Sequence, residues 1–374
     1  MIKSIKIQLK PNNKQNSLLF QCAGSARFAY NWALDQQQKN FEAGNKFLSD
    51  NELRKQLTQL KKTEFAWLYQ YSNNITKQAV KDACEAYKKF FKKLADKPRF
   101  KSRKRSKPAF YHDNIKLKVT EKHVQLEKIG KVKLAEFGRI PPNSKYSNPR
   151  ISYDGLNWYI SVGIEMSDMT IDKTASEPIG IDLGIKGLAI VSNGKKYKNI
   201  NKTKAVKKAN KRLKRLQRKA SRQYDKIKNK KIKGKGKNLL KLEKQINKTY
   251  KRLTNIRTNH IHQATTELVK TKPAYMVVED LNISGMMKNK HLSHAIAEQK
   301  LYEFVRQLEY KCLWYGVELI KADRFYPSSK LCSCCGKVKK DLKLSDRVYK
   351  CECGNVIDRD LQAAINLRNY QQSA

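Results

Sequence analysis

Apolar side chains recur along this chain in different rhythms, and the rhythm changes where the architecture should change. Residues 3–9 alternate apolar and basic positions and predict one β-strand. From Gln15 to about Glu42 the spacing widens to three- and four-residue steps. Leu18, Leu19, Cys22, Ala26, Ala29, Tyr30 and Ala33 then line one helical stripe. A shorter helix after Asp50 carries Leu53, Leu57 and Leu60. A third, from about Ser72 to Leu94, carries Ile75, Ala79, Ala83, Tyr87, Phe90, Phe91 and Leu94. Residues 15–96 therefore read as a helical unit. Alternation returns beyond the basic, irregular segment from Lys97 to Lys107. It runs through Ile115–Val119, His123–Leu126, Lys131–Leu134, Ile151–Tyr153 and Trp158–Ile164. The last two flank Asp154-Gly155, a hairpin-type turn signal. These strands predict a small barrel or sandwich. If the strand at 3–9 joins it, the helical unit is an insertion within a β domain.

The second half has a βαβ-like order. A polar linker, Ser167 to Pro178, precedes two short apolar strands, Ile179–Asp182 and Leu188–Val191. Ser192-Asn193-Gly194 turns into Lys195–Ile200. Asn201 to Thr271 is mostly helical and very basic, interrupted by the sequence KIKGKGK from Lys231 to Lys237. Ala274–Glu279 reads as a buried strand, residues 293–315 as one helix, and Val317–Ala322 as a strand. A cysteine cluster follows, then a short helix from about Asp360.

Charge narrows the function. The 374 residues hold 80 Lys and Arg against 33 acidic residues, a formal net charge of +47. That length allows two or three domains, but like charges in such excess oppose compaction. A polyanion partner explains the surplus, and its spread along the chain suits a protein that wraps nucleic acid. A membrane-surface binder would show a basic amphipathic helix or a lipid-anchor motif, and neither is present. No apolar run approaches the roughly 20 residues that span a bilayer, and no secretory signal opens the chain. The expectation is a protein of the prokaryotic cytoplasm, associated with the nucleoid, without membrane contact, and monomeric or homodimeric. The Lys/Gly stretch reads as a flexible hairpin between two helices that also serves as a phosphate-binding arm.

Of the 8 cysteines, Cys22, Cys84 and Cys312 fall singly in helical patterns and suit small core positions. The other five crowd between Cys332 and Cys353. In a reducing compartment such crowding argues for zinc over disulfides. Cys332, Cys335, Cys351 and Cys353 are the expected ligands of one structural Zn²⁺, with Cys334 spare. The glycine after each knuckle, Gly336 and Gly354, fits a turn that needs positive φ.

Three acids end or open predicted elements. Asp182 lies at the end of the strand in Gly180-Ile181-Asp182-Leu183-Gly184, Glu279 ends Tyr275-Met276-Val277-Val278, and Asp360 opens the last helix. Acids at strand ends point into the crevice above an open sheet. Phosphodiester hydrolysis needs an activated water and a stabilised leaving oxygen, which two Mg²⁺ ions about 4 Å apart supply. Mg²⁺ takes hard oxygen ligands from a few carboxylates. Any one of these acids alone would read as a cap or a solvated terminus. Asp280 and Asp358 are neighbouring carboxylates that pattern alone does not separate from them.

An ordered set of segments resembles the TnpB (OrfB) family of transposon-encoded proteins, relatives of type V CRISPR effectors. The segments are Arg27-Phe28-Ala29-Tyr30-Asn31-Trp32, Pro98-Arg99-Phe100-Lys101-Ser102-Arg103, Gly180-Ile181-Asp182-Leu183-Gly184, Val278-Glu279-Asp280-Leu281-Asn282, Phe325-Tyr326-Pro327-Ser328-Ser329-Lys330 and Asp358-Arg359-Asp360. The resemblance implies an α+β multidomain fold. A wedge-like β-barrel (residues 1–14 and 97–170) would hold an inserted helical recognition lobe (15–96). A RuvC, RNase H-like α/β domain (171–374) would follow, with a zinc ribbon (328–356) inserted in it. The implied activity is RNA-guided DNA cleavage. A guide RNA from the transposon end pairs with double-stranded target DNA beside a short flanking motif. One Mg²⁺-dependent site cuts, with Asp182, Glu279 and Asp360 as its catalytic acids and metal ligands. Gln362 stands where the family usually has Asn. Base pairing would carry sequence recognition, leaving the protein to contact backbone and flanking motif. Asn73, Lys77, Gln78, Arg99, Lys101 and Arg103 are the expected nucleic-acid contacts. Tyr30, Trp32, Phe100 and Tyr111 could stack on bases, although helical spacing assigns Tyr30 and Trp32 to the core.

Three other functions share these features. A guided DNA-binding repressor would not cut, and the presence of all three acids argues against it. A transposase would join strands itself without RNA. The apolar strands ending in Asp182 and Glu279 count against a structural RNA-binding protein.

Overall fold

Side chains that alternate between buried and exposed build the first sheet. In the computed structural model, which describes residues 2–165, 176–229, 234–343 and 346–370, the chain divides into two units, Met1–Ser167 and Asp168–Ala374. The expected linker from Ser167 to Pro178 lies mostly outside the described residues, as does the first part of the Lys/Gly stretch.

The first unit comprises β1 (Ile2–Lys10), α1 (Asn13–Glu42), α2 (Asp50–Leu60), α3 (Asn73–Phe91), β2 (Ala109–Tyr111), β3 (Lys118–Val119), β4 (His123–Leu126), β5 (Gly130–Leu134), β6 (Tyr146–Tyr153) and β7 (Trp158–Glu165). The strands form an antiparallel sheet in the order β2-β6-β7-β1-β5-β4-β3. On β7, Trp158, Ile160, Val162 and Ile164 face the core while the residues between them do not, the mark of a half-buried strand. β1 pairs with β7 from Ile2↔Glu165 to Leu9↔Trp158 and with β5 at Leu9↔Leu134. The three helices thus leave and rejoin one sheet. Asn12 caps α1 through a capping box with Gln15, and Ser49 caps α2 in the same way with Glu52. Ala23, Ala26, Ala29 and Ala33 on α1 are buried and small, which lets α3 pack close with Ala79, Val80 and Ala83.

The first unit departs from the expectations at several places, and β6 begins five residues before the expected Ile151. β2 was not anticipated. The strand expected over Ile115–Val119 shrinks to Lys118–Val119 because Asp113 Oδ1 accepts from the Ile115 and Lys116 N–H groups, 3.0 Å each, and turns the chain. α3 ends at Phe91, with Lys93 in the left-handed region, so Leu94 is off the helix and exposed.

The second unit comprises β8 (Ile179–Leu183), β9 (Gly187–Val191), β10 (Lys196–Lys198), α4 (Lys204–Lys228), α5 (Lys237–Lys270), β11 (Tyr275–Glu279), α6 (Ile283–Met286), α7 (Ser293–Gln299), α8 (Leu301–Tyr315), β12 (Glu318–Ala322), β13 (Val348–Lys350), β14 (Val356–Asp358) and α9 (Arg359–Arg368). Its main sheet runs β10-β9-β8-β11-β12. β9 runs antiparallel to both β8 and β10, whereas β8, β11 and β12 run parallel to one another. Apart from Asp182 and Glu279, the central strands are mainly apolar because both faces are covered. Ile181, Leu183, Met276 and Val278 pack against Ile261, Leu268, Phe304 and Leu308 of α5 and α8. Val277 and Ala322 meet Leu367 of α9 on the other face.

Gly180 explains how closely α9 sits. A Cβ there would lie 2.1 Å from the Ala364 carbonyl oxygen and 2.3 Å from the Arg368 nitrogen. Only a hydrogen fits between strand and helix.

The single helix expected over 293–315 is two helices. Lys300 takes φ 55 and ψ 44, a left-handed conformation that ends α7 and starts α8. No helix among the described residues is long and apolar enough to cross a membrane.

Candidate active site and metal centre

Strand register assembles the carboxylates. β11 pairs with β8 at Val277↔Gly180 and Val278↔Ile181, so the next positions, Glu279 and Asp182, are neighbours on adjacent strands. Period-two alternation puts Gly180, Asp182, Val277 and Glu279 on the face that α9 covers. Asp360 lies in the first turn of α9. The N-cap itself is Asp358, whose Oδ1 accepts from the Asp360 and Leu361 N–H groups at 3.0 and 3.2 Å. Gly180 holds the helix bearing Asp360 against the strand bearing Asp182.

The electrostatics separate these acids from their neighbours. Asp280 pairs with Arg324 at 2.6 Å and Asp358 with Lys196 at 3.1 Å. Asp182, Glu279 and Asp360 form no ion pair among the described residues, in a chain of net charge +47. All three remain partly open to solvent. Burial of its carboxyl, then the charges of Glu279 and Asp360, push the Asp182 pKa well above the usual carboxylate range, with Arg359 only partly offsetting them. Burial also raises Glu279, against the opposing bond from the Ser328 hydroxyl to its Oε1. Such a cluster is unfavourable as three bare anions, and its donors are hard oxygens. Both properties fit Mg²⁺. The three carboxylates are not drawn within 4.8 Å of one another, as the thiols described next are. Ligands that share a pair of cations about 4 Å apart need not be.

The thiols are gathered tightly. The Sγ atoms of Cys332, Cys335, Cys351 and Cys353 all lie within 4.8 Å of one another. Cys332 is 3.6 Å from Cys353, and Cys335 is 3.6 Å from Cys351. A disulfide would bring sulfurs to about 2.0 Å, while four thiolates about 2.3 Å from one Zn²⁺ sit near 3.8 Å apart. The donor set therefore fits zinc. Gly336 and Gly354 adopt φ 72 and φ 87, which closes each knuckle. Burial opposes ionisation of Cys332, but the Cys335 N–H and the Asn355 amide hold its thiol down at about 6. Cys334 is exposed and outside the cluster, and Cys22, Cys84 and Cys312 are buried.

The six expected nucleic-acid contacts divide. Asn73 Oδ1 accepts from Lys61 Nζ at 2.6 Å, and Gln78 Nε2 donates to Asp82 Oδ1 at 2.9 Å. Lys101 exchanges backbone bonds of 2.8 Å with the Asn31 side chain, and its ammonium lies 3.4 Å from the Tyr30 ring centroid. These three are engaged within the first unit. Lys77, Arg99 and Arg103 are exposed and enter no ion pair among the described residues. Tyr30 and Trp32 are buried, as helical spacing implied, and Phe100 is exposed.

Sequence reading missed two residues that fix the site. Ser328, nearly buried, tethers Glu279. Gln299, also buried, donates through Nε2 to the carbonyls of Gly184 at 3.1 Å and Gly187 at 2.8 Å, fixing the loop just beyond Asp182. A glutamine on the apolar stripe of a predicted helix was the one available signal. Elsewhere in this unit, α4 and α5 enclose a cavity of about 890 Å³. Its lining includes Lys208, Arg212, Arg215 and Lys219 from α4 and Lys248 and Arg252 from α5.

Comparison with known proteins places three stretches of the chain in described families. Residues 161–290 match the OrfB_IS605 family, described as "Probable transposase". Residues 302–367 match the "Cas12f1-like, TNB domain", and residues 1–46 the OrfB_IS605 "Helix-turn-helix domain". In this chain that last stretch holds β1 and one unbroken helix, α1. A Streptomyces pristinaespiralis protein named "Putative RNA-guided DNA endonuclease" is 31% identical over 98% of this chain and 88% of its own length. The Escherichia coli K12 protein "Putative RNA-guided DNA endonuclease InsQ" is 31% identical over 94% of this chain and 87% of its own. Among solved structures, a Cas12f1-sgRNA-target DNA complex is 16% identical with a TM-score of 0.36 over 99% of each chain. A CRISPR-Cas12f ternary complex is 15% identical with a TM-score of 0.40 over 96% of this chain and 82% of the other.

Proposed function

Since the chain belongs to the OrfB_IS605/TnpB family, we propose that it is an RNA-guided DNA endonuclease whose hydrolytic site is Asp182, Glu279 and Asp360. One observation carries this reading. In a chain overloaded with Lys and Arg, these three acids enter no ion pair among the described residues, whereas Asp280 and Asp358 beside them do, and they sit on two adjacent parallel strands and the helix packed over them. The order of the sheet, an antiparallel β8-β9-β10 followed by parallel β11 and β12, supports an RNase H-like domain.

Mg²⁺ held by the three carboxylates would supply an activated water and charge stabilisation at the scissile phosphate. The protein's own part is preorganisation. Ser328 engages one oxygen of Glu279 and leaves the other for the site. Gln299 fixes the loop after β8, so Asp182 is presented from a rigid strand end. Burial lowers the local polarisability and strengthens each charge interaction with the reacting group. Zn²⁺ at Cys332, Cys335, Cys351 and Cys353 has no open ligand position and serves structure.

The basic surplus binds the partners. The six cations facing the cavity between α4 and α5 suit phosphate oxygens of a guide RNA or target strand. Base pairing to the guide carries sequence recognition. The first unit divides in this reading into a wedge-like β domain (residues 1–14 and 97–170) and a helical recognition lobe (15–96), and Lys77, Arg99 and Arg103 offer free cations to the duplex beside the target.

The test is cleavage of a guide-matched plasmid with Mg²⁺, using RNA that copurifies with the protein. Asp182→Ala should abolish the cut while RNA still copurifies. Equal cutting by parent and variant removes the site assignment. Cutting that survives RNase treatment removes the guide.

A further inference from the structure

A run of hydrogen bonds joins the thiol cluster to the carboxylates, although neither ligand set needs it for its own donors. Gln362, two residues beyond Asp360 on α9, is fully buried. Its Oε1 accepts from Ser333 Oγ at 3.0 Å, inside the first knuckle, and from Asn355 Nδ2 at 3.2 Å, just past the second. Its Nε2 donates to the Leu331 carbonyl at 2.7 Å. The Asn355 amide also lies 3.5 Å from Cys332 Sγ. One turn on, Asn366 Nδ2 donates to the carbonyls of Leu331 and Ser328, 2.7 Å each. Ser328 then donates through its hydroxyl to Glu279.

An amide oxygen has two lone pairs. Gln362 fills both with donors from different knuckles, so its bonding is complete only while the knuckles are closed on each other. Closure is what a shared metal enforces. Four thiolates this close repel, and without a cation they are opposed by a small apolar cluster around Leu342 and Tyr349, the short β13–β14 pair and a few bonds such as Tyr349 hydroxyl to the Lys330 carbonyl. When the knuckles part, Gln362 loses its partners inside a buried network, where each unsatisfied group is costly. α9 would then shift, carrying Asp360 with it, and Ser328 would release Glu279.

We infer that metal bound at the four cysteines sets the geometry of the nuclease carboxylates through Gln362 and Ser328. Both act as positioning residues. Gln362 reports ribbon closure to Asp360, and Ser328 passes it to Glu279. The inference rests on the reading of the three acids as the nuclease site.

The test measures Mn²⁺ binding to the full chain by electron paramagnetic resonance, so it does not depend on cleavage. Mn²⁺ prefers oxygen ligands to thiolates and reports the acid site alone. Zinc-loaded protein should bind Mn²⁺ about 10-fold or more tightly than zinc-stripped protein, the scale at which outer-shell partners tune a metal site. Gln362→Met keeps the volume and removes the bonds. Loaded with Co²⁺, it should retain the tetrahedral cobalt–thiolate absorption yet bind Mn²⁺ as weakly as the stripped parent. Ser328→Ala should weaken Mn²⁺ less and leave the cobalt spectrum untouched. Equal Mn²⁺ affinity with and without zinc overturns the coupling, as does parental affinity in both variants. Should Gln362→Met fail to fold, the parent's zinc dependence and Ser328→Ala still decide. Asp182→Ala separates the premise from the inference. If it binds Mn²⁺ like the parent, the acid site itself is wrong, whatever zinc does.

Discussion

The thiol cluster and the carboxylate cluster lie in one unit and are built to opposite plans. The thiols come from two turns between Cys332 and Cys353, close along the chain and within 4.8 Å in space. The acids come from Asp182, Glu279 and Asp360, on β8, β11 and α9, brought together by strand pairing and by one glycine contact. The first site is local, so a metal can create its structure. The second is assembled by the fold, so the fold must exist before any cation arrives. The two should therefore fail differently when disturbed.

The largest difference should appear on withholding zinc from the thiol cluster. Zinc binding contributes about 10–16 kcal/mol to folding of small zinc domains, far more than the apolar cluster of Cys332, Leu342 and Tyr349 can replace. Cys332→Ala should lose zinc and leave residues 328–356 open to hydrogen exchange, while β8 and β11 stay protected on their own core. Zinc content and exchange rates check this. A ribbon still protected without metal would break the contrast.

Asp182 should respond in the reverse sense. If Asp182 holds Mg²⁺ as proposed, removing its carboxylate forfeits several kcal/mol of transition-state stabilisation, roughly 10³-fold in cleavage rate. Stability should nevertheless rise in Asp182→Asn when no metal is present. The folded-state pKa of Asp182 lies above its unfolded value. Its contribution is therefore full below about pH 3.9, the unfolded value, and is lost as pH rises through the folded one. Metal-free parent should lose melting temperature over that rise, and Asp182→Asn should lose less. Parallel curves would show that neither burial nor its acidic neighbours penalise a charged Asp182.

Gly180→Ala tests assembly without touching a ligand. The added methyl meets backbone atoms of Ala364 and Arg368 that cannot rotate away. Overpacking of this kind costs about 1–3 kcal/mol. Cleavage should fall with it because Asp360 moves with α9, while zinc content stays unchanged. Full activity would mean that the position of α9 is not what assembles the acids.

The same division explains what could be read from the chain alone. The four clustered cysteines follow from spacing, because a knuckle is a local object whose glycine turn is written beside it. Asp182 and Glu279 were visible as residues that end apolar strands and Asp360 as one that opens a helix, and Gly180 stood in the quoted motif, but nothing local said that Gly180 exists to admit α9. Asp358 and Asp360 are two residues apart with opposite duties, one an N-cap paired to Lys196, the other unpaired. That distinction depends on Lys196, which is remote in sequence. Ser328 and Gln299 escaped notice for the same reason, since their partners lie far along the chain. The helix expected over 293–315 was read as continuous because apolar spacing does not register one residue's φ.

That residue gives the smallest effect. Lys300 adopts φ 55 without being glycine, a conformation that costs an ordinary residue about 1–2 kcal/mol. Its ammonium donates to Thr258 Oγ1 at 2.9 Å, a bond worth about 1 kcal/mol. Lys300→Gly relieves the first and loses the second, so its urea midpoint should hardly move. Lys300→Ala keeps the strain and loses the bond, and should be about 1 kcal/mol worse. The gap between the two variants measures the strain itself. Both should keep Mn²⁺ affinity, because the left-handed turn, rather than the lysine side chain, aims the neighbouring Gln299 at the loop beyond Asp182. A loss of affinity in Lys300→Gly would instead make the ammonium part of what assembles the acid site, and would extend its dependence on the fold as far as α5.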